Sequence, residues 1–593
     1  MKVRALSGNA IELELESRIN ERRLYVAITV ILFMGLFAYR VALFSDIEPR
    51  SDQAFFSWWV QGLAQADHIF PEHRSGEGFM AALERDDESF LHRLLRPIHG
   101  RSVSIFTSVP LFLRLVSAWV FGDGIEVQTI SSIFVASLIM LSTGLFALRA
   151  FEFQRGGLTN REIDQTALLA TAFTGSAYYL HFFSPMGVHN FGVLFLVLAA
   201  GSTQRAFSVI ESQHESGRHI IIAVLFQILA LYAHWTNIFL LPAATLFCLA
   251  VCRISVRQKC LVGGYYIIGL LIIAIPFLVF AANTFNQVED VSNLTVWELY
   301  SISLEGGFII FFQTGVERSI QWFENVSGAF SVLGVMLGLL GVSLMAIRQR
   351  IYFPFSLCST HFVVALTIPA FMGAHFRTDL YMLPFLALGL AYLVGLSFSV
   401  IQNVWRHQNR LAFAVLGLLF SAMAASHLWQ QISQTGDAHL LEHHKPGFWS
   451  FYYKGQGEVQ PIVDEINETL PDRAVVVTWG YGMQYVMRNY EIERHGRKVL
   501  PTLLTLLSRF DKGTLPNLIK RRDISIPADV PIYALIDYDV DHVDEETVRG
   551  SLEKILGPEG FYMAKKITLE LQGRWQLSTF WPRDVAVYRV GME

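Results

Sequence analysis

Apolar stretches of about 20 residues recur along the first 430 positions of this chain, each long enough to cross the roughly 30 Å hydrocarbon core of a bilayer as a helix. In lipid every backbone N–H and C=O must find its partner inside the structure, and a helix does this within one segment. The pattern therefore predicts a polytopic α-helical membrane protein of about 11–13 spans. The first run, 24–44, has charged flanks and no small-residue cleavage site after it, so it reads as a retained anchor. Further spans are expected near 103–121, 127–149, 166–183, 185–202, 219–234, 236–252, 262–282, 326–347, 352–373, 380–400 and 410–430. A shorter stretch, 303–316, is expected to re-enter the membrane without crossing it.

Composition agrees. Charged residues make up 16% of the 593 and hydrophobic ones 52%, where a soluble domain would carry about 25% charge. A net charge of −5 supplies no basic field for nucleic acid, which is excluded as a partner. No zinc-like cysteine pair, P-loop or dinucleotide fingerprint is present. Cys248, Cys252, Cys260 and Cys358 all lie in or beside apolar runs and make no disulfide framework.

The last residues, 431–593, have soluble composition and alternate in an α/β manner. Strands are expected at 474–478, 532–536 and 585–590, with helices at 459–470 and 547–556. The expected organisation is a cytoplasmic segment 1–23, a membrane domain 24–430 with a first outer loop at 45–101, and an extracytoplasmic domain 431–593. Basic residues orient it: Arg253, Arg257 and Lys259, Arg348 and Arg350, and Arg406 and Arg410 lie between spans and favour the cytoplasm. Twelve spans with an outer C-terminal domain would put the N-terminus outside, against its own arginines. Eleven or thirteen reconcile the ends, and the miscount falls at 103–121 or in the pair 166–202.

Polar residues are costly in lipid and mark working positions. Five islands fall near span ends on the outer side. Asp46, Glu48 and Asp52 follow the first span, and Asp52 reads either as a helix N-cap or as a general base. His92, Arg93, Arg96, His99 and Arg101 form a cationic patch suited to phosphate oxygens, or equally to lipid head groups or the acids before it. The motif SPMGVHNFG, 184–192, has Pro185 and Gly187 to interrupt a helix and His189 and Asn190 as ligands, with a plain turn as the alternative. The same two readings apply to YAHWTN, 232–237, which carries His234. The run HFRTDLYMLP, 375–384, carries His375, Arg377, Asp379 and Tyr381; Arg377 either meets a phosphate or pairs with Asp379. Arg40, near the end of the first span, is expected to snorkel outward.

The order of these features resembles the integral-membrane glycosyltransferases that use polyprenyl-phosphate sugars, the GT-C type that includes protein mannosyltransferases and lipid A aminoarabinose transferases. The residues that carry the resemblance are Asp52-Gln53-Ala54-Phe55-Phe56 with Trp59, Phe121-Gly122, the island 184–192, and the run from Arg377 through Tyr381 to Pro384. It covers roughly residues 24–430. It implies a GT-C-like core, a bacterial inner-membrane location, and inverting transfer of a sugar from a polyprenyl-phosphate donor to an extracytoplasmic glycan, lipid or protein acceptor. Asp52 would be the base. Arg93, Arg96, Arg101, His189, Asn190, His234, His375, Arg377 and Tyr381 would bind substrate and the leaving phosphate. Gln53 stands where members carry a second acid, which weakens the case for a metal; a divalent metal stays an open alternative, and no metal ligands are picked out. His189 and Asn190 stand where relatives often carry Arg and Asp. The competing readings are a surface-polysaccharide polymerase or ligase, a lipid or solute transporter, and a non-catalytic scaffold. A transporter would favour inverted repeats, and none is evident.

Overall fold

The computed structural model describes residues 22–42, 108–122, 125–152, 159–184, 187–212, 217–234, 236–269, 271, 315–367, 378–404, 411–436, 459–472, 474–479, 498–500, 531–538, 546, 549–550, 566–577 and 583–592. The chain divides into two compact units. One holds most of the membrane helices, and the other includes 43–131 and the C-terminal residues from His439.

The helices are α1 (Arg22–Ala42), α2 (Ser108–Phe121), α3 (Ile125–Glu152), α4 (Asn160–Ser176), the short α5 (Tyr178–Phe182), α6 (Gly187–Glu211), α7 (Gly217–Ala233), α8 (Thr236–Val251), α9 (256–269), α10 (315–330), α11 (Val332–Gln349), α12 (Phe353–Thr367), α13 (Leu383–Val404) and α14 (Leu411–Gly436). Five apolar stretches in α1, α3, α6, α11 and α13 are long and apolar enough to cross a membrane. Helices α7, α8 and α12 are apolar but shorter.

Their contacts fix the direction of travel. Helix α6 starts at what is termed the upper end. There Asn237 Nδ2 donates to Gly192 O and Ala230 O, so α7 ends and α8 begins beside it. At the lower end the Arg253 N–H donates to Glu211 Oε1, joining the ends of α6 and α8. Gln204 Nε2 donates to Arg350 O and its Oε1 accepts from the Phe353 N–H, which puts the end of α11 and the start of α12 low as well. Helix α3 descends against ascending α4, with Met140 by Gly175 and Gly144 by Thr171. Helix α13 descends from Tyr381, which abuts Gly192, towards Gln349, which donates to the Tyr392 hydroxyl. Helix α14 rises until Gln431 Oε1 accepts the Tyr178 N–H.

Among the described residues, and counting α4 and α5 as one, eleven helices run between the two ends: α1, α3, α4–α5, α6 to α9 and α11 to α14. The last turn of α1 meets α4 and α5 at the upper end, where α3 also begins. The expected span 103–121 is described only from Ser108, as the 14-residue α2. Two other boundaries move. The expected span 326–347 straddles a break at Ser331, whose φ of +64° interrupts α10 and α11. The span placed at 185–202 continues to Glu211, because Thr203 and Gln204 are buried and bonded across the bundle although they end the apolar run. The re-entrant stretch lies outside the described residues.

Arg40 corrects the snorkelling expectation. It is fully buried, donating from Nε to His181 Nδ1 (3.2 Å), from Nη1 to Ser137 Oγ (2.9 Å) and from Nη2 to Gly175 O (2.7 Å). A guanidinium can stay inside because the break between α4 and α5 leaves carbonyls of the last α4 turn free to accept. Of the other described basic residues, Arg149, Arg161, Arg218, Arg253, Arg257, Lys259, Arg348 and Arg350 lie at or near lower helix ends, whereas Arg318 in α10 donates to Leu366 O near the upper end of α12.

Among the described residues the C-terminal part has the helix α15 (Val459–Thr469), helical residues at 546 and 549–550, and five strands, β1 (Val475–Trp479), β2 (Lys498–Leu500), β3 (Ile532–Tyr538), β4 (Ile567–Leu577) and β5 (Arg583–Met592). Their order is β2-β1-β3-β5-β4, with β2, β1 and β3 parallel and β3, β5 and β4 antiparallel. Ile466 and Leu470 pack with Val476, Tyr533, Leu535, Val585 and Val587. The three expected strands and the helix at 459–470 are present, and β2 and β4 are additional. The expected helix 547–556 falls almost wholly outside the described residues. In β4 a register shift at Leu571/Gly573 breaks the alternation on which strand reading depends.

Candidate functional site

Three long helices begin at one place. His189 and Asn190 sit in the first turn of α6, Thr236 and Asn237 open α8, and Tyr381 ends the 3₁₀ turn Asp379–Tyr381 that leads into α13. The His189 and His234 rings lie 4.4 Å apart between centroids, and His234 and Tyr381 lie 5.6 Å apart. Phe183 closes against His189 at 6.4 Å. All of these side chains are buried.

The two islands use one device. Asn190 Nδ2 reaches back seven residues to Phe183 O (2.7 Å), and also to Ser184 O (3.1 Å). Asn237 Nδ2 reaches back seven residues to Ala230 O (2.8 Å), and across to Gly192 O (3.0 Å). The Asn190 amide thus serves carbonyls at a chain reversal, while that of Asn237 adds a donor to Ala230 O, which also accepts the His234 N–H, and ties the turn to α6. Both donors of each amide are committed, and among the described residues neither Asn190 Oδ1 nor Asn237 Oδ1 has a partner. A buried acceptor in that condition costs about 1–3 kcal/mol until a donor arrives. His234 Nδ1 accepts the Thr236 N–H at 3.2 Å, which fixes the ring proton on Nε2 and makes that nitrogen a donor.

Behind Tyr381, the Trp322 indole donates to His361 Nδ1 (3.1 Å), and His361 Nε2 donates to Thr378 O (3.1 Å). Asp379 Oδ1 lies 3.9 Å from the same Nε2. The chain from Thr378 to Tyr381 is held from below by this neutral histidine, which the sequence reading did not single out.

Of the expected site residues, the structure therefore brings together His189, Asn190, His234 and Tyr381. Asp52, Arg93, Arg96, Arg101, His375 and Arg377 lie outside the described residues. Gly192 was quoted only as part of its motif, and its role is steric. A Cβ there would collide with the Tyr381 hydroxyl and come within 2.6 Å of His234 Cβ. Gly192→Ala is expected to cost about 1–3 kcal/mol of stability by overpacking and to splay Tyr381 from His234. Thermal unfolding in detergent, read beside ligand affinity, checks it. Affinity should fall even where the variant remains folded.

The site that emerges is a buried polar cluster at one end of a polytopic helical membrane protein, built from helix first turns. No family model matches the chain, and no curated protein matches it. Among solved structures it is similar to the apo oligosaccharyltransferase of Archaeoglobus fulgidus, at 12% identity and a TM-score of 0.49, over 86% of this chain and 69% of that one. It is also similar to ArnT of Cupriavidus metallidurans in the apo state, at 12% identity and a TM-score of 0.47, over 96% of this chain and 98% of that one. The same ArnT bound to undecaprenyl phosphate gives 11% identity and a TM-score of 0.46, over 95% and 97% of the two chains. At these values the likeness decides neither family nor function.

Proposed function

We propose that this chain is a GT-C-type membrane glycosyltransferase, moving a sugar from a polyprenyl-phosphate donor to an acceptor on the outer face of a bacterial inner membrane. The observation that carries the reading is the meeting of the α6, α8 and α13 first turns with His189, His234 and Tyr381. Helix N-termini present partial positive charge and free N–H groups, and so favour an anion such as a phosphate. Most of the described basic residues of the bundle gather at the opposite end, and their cytoplasmic preference turns the cluster outward. That is the side on which the sequence resemblance places Asp52 and the first loop.

In the proposed reaction Asp52 takes the proton of an acceptor hydroxyl, and the acceptor oxygen attacks the anomeric carbon of the donor sugar. The bond from that carbon to the phosphate oxygen breaks with inversion. The polyprenyl phosphate leaves with the electron pair, and Arg377 with the arginines of 93–101 would stabilise the charge it gains. Among the described residues no group of three His, Cys, Asp or Glu side chains could seat a metal ion. The C-terminal α/β part would face the same side and recognise the acceptor.

The test is label transfer in reconstituted vesicles, using a panel of radiolabelled undecaprenyl- and dolichyl-phosphate sugars and an envelope acceptor fraction. Labelled acceptor from at least one donor is expected. Label that crosses the bilayer while still on its lipid, with no acceptor product, would replace this reading with a transporter.

A further inference from the structure

Outside the cluster, the buried polar group with the most defined surroundings is His181 in α5. Arg40 Nε–H donates to its Nδ1 at 3.2 Å, and a nitrogen that accepts from a guanidinium cannot also hold a proton. The ring proton is therefore on Nε2. That N–H has no hydrogen-bond partner among the described residues, although the residue is only 3% exposed. The Tyr39 ring stands edge-on to the imidazole at 5.6 Å and adds no acceptor to it. His181 is tied to the cluster through its backbone. Ser184 Oγ donates to His181 O at 2.7 Å, Ser184 O accepts from Asn190, and Phe183, two residues on, packs against His189.

We propose that His181 is a further substrate-binding residue, whose Nε2–H donates to an anionic oxygen of the polyprenyl-phosphate ligand, with Arg40 as the positioning residue that fixes its tautomer. The inference rests on the function proposed above. Three features point to an anion. The imidazole offers only a donor, a full positive charge stands directly behind it, and among the described residues that charge bonds to neutral acceptors, Ser137 Oγ, Gly175 O and the imidazole itself. Among the described residues Asp379 is the buried acid of the same end, and it faces His361, not Arg40. Buried ionisable groups in membrane helices are retained where they work, and an arginine that only capped α4 would not need a histidine as its third acceptor.

The test measures affinity of the purified full chain in detergent for undecaprenyl phosphate and for undecaprenol, which lacks the phosphate. His181→Gln keeps an acceptor for Arg40 and an N–H donor, and should bind the phosphate within about threefold of wild type. His181→Phe loses both and should bind it about tenfold to a hundredfold more weakly, with undecaprenol unchanged. Imidazole nitrogen NMR of the wild-type protein, assigned by the Gln variant, should show the Nε2–H resonance of His181 moving on addition of the phosphate lipid. Equal losses for both lipids would reduce His181 to a packing residue, and wild-type affinity in the Phe variant or an unmoved resonance would overturn the proposal. Should the Phe variant not fold, the resonance alone decides. Wild type that binds neither lipid would instead remove the function proposed above, and this inference with it.

Discussion

Gly341→Leu is expected to yield no folded protein. Helices α11 and α13 meet with backbone against backbone. A Cβ on Gly341 would collide with the carbonyl of Gly389, one on Gly389 would collide with the carbonyl of Gly338, and one on Gly338 would come within 2.8 Å of Leu386 O. Gly338 and Gly341, one turn apart, are small residues of the kind that let membrane helices approach this closely, while Gly334 packs against His427 of α14. Neither partner can yield, because the obstacle is main chain and α13 is almost wholly enclosed. Inserting a leucine must part the two helices, with a loss above about 4 kcal/mol, in the range reserved for core disruption. Size-exclusion chromatography of detergent-solubilised protein should show aggregate or nothing. Gly35→Leu is the matched control, since a Cβ at Gly35 meets nothing within 4 Å, and it should behave as wild type. A monodisperse Gly341→Leu protein of unchanged melting temperature would mean that α11 and α13 do not cross at these glycines.

Much of this architecture is legible in the sequence because lipid imposes one rule on every span. Apolar length marked almost every helix, and the interruptions SPMGVHNFG and YAHWTN marked the ends that converge. What misled were polar residues whose partners are distant in sequence. Thr203 and Gln204 end an apolar run, yet they bond to Gln227, Arg350 and Phe353 inside the bundle. Arg40 looks like an interfacial arginine, since the length of α1 says nothing of Ser137, Gly175 or His181. Ser331 has no composition signal for the backbone turn it makes, and its hydroxyl is occupied by Gly334 N–H and His427. At the candidate site, residue type was informative and placement was not. Histidines and asparagines announced polar chemistry, but the 4.4 Å contact of His189 with His234 depends on three helices starting together.

Asp52→Asn is expected to lower sugar transfer by roughly 10²–10⁴-fold, the contribution of a positioned general base, while leaving affinity for undecaprenyl phosphate within a few-fold of wild type. The contrast follows from the division of labour proposed for the two parts of the site. The helix first turns and the arginines act on a phosphate that is charged both before and after reaction. Asp52 acts on a proton that moves only as the acceptor oxygen attacks. The amide keeps the size of the carboxylate and its capacity to accept a hydrogen bond at an N-cap, so a residue that merely capped a helix would tolerate the change at a cost of a few tenths of a kcal/mol to about 1 kcal/mol. Asp46→Asn and Glu48→Gln, from the same stretch after the first span, serve as comparisons and should retain transfer. Should Asp52→Asn transfer at full rate while one of these fails, the base is that neighbour and the phosphate site at the helix first turns is unaffected. Should all three transfer normally, deprotonation of the acceptor would have to come from another acid, and Asp379, buried beside Tyr381, and the acids within 84–88 of the first loop would be the next residues to replace.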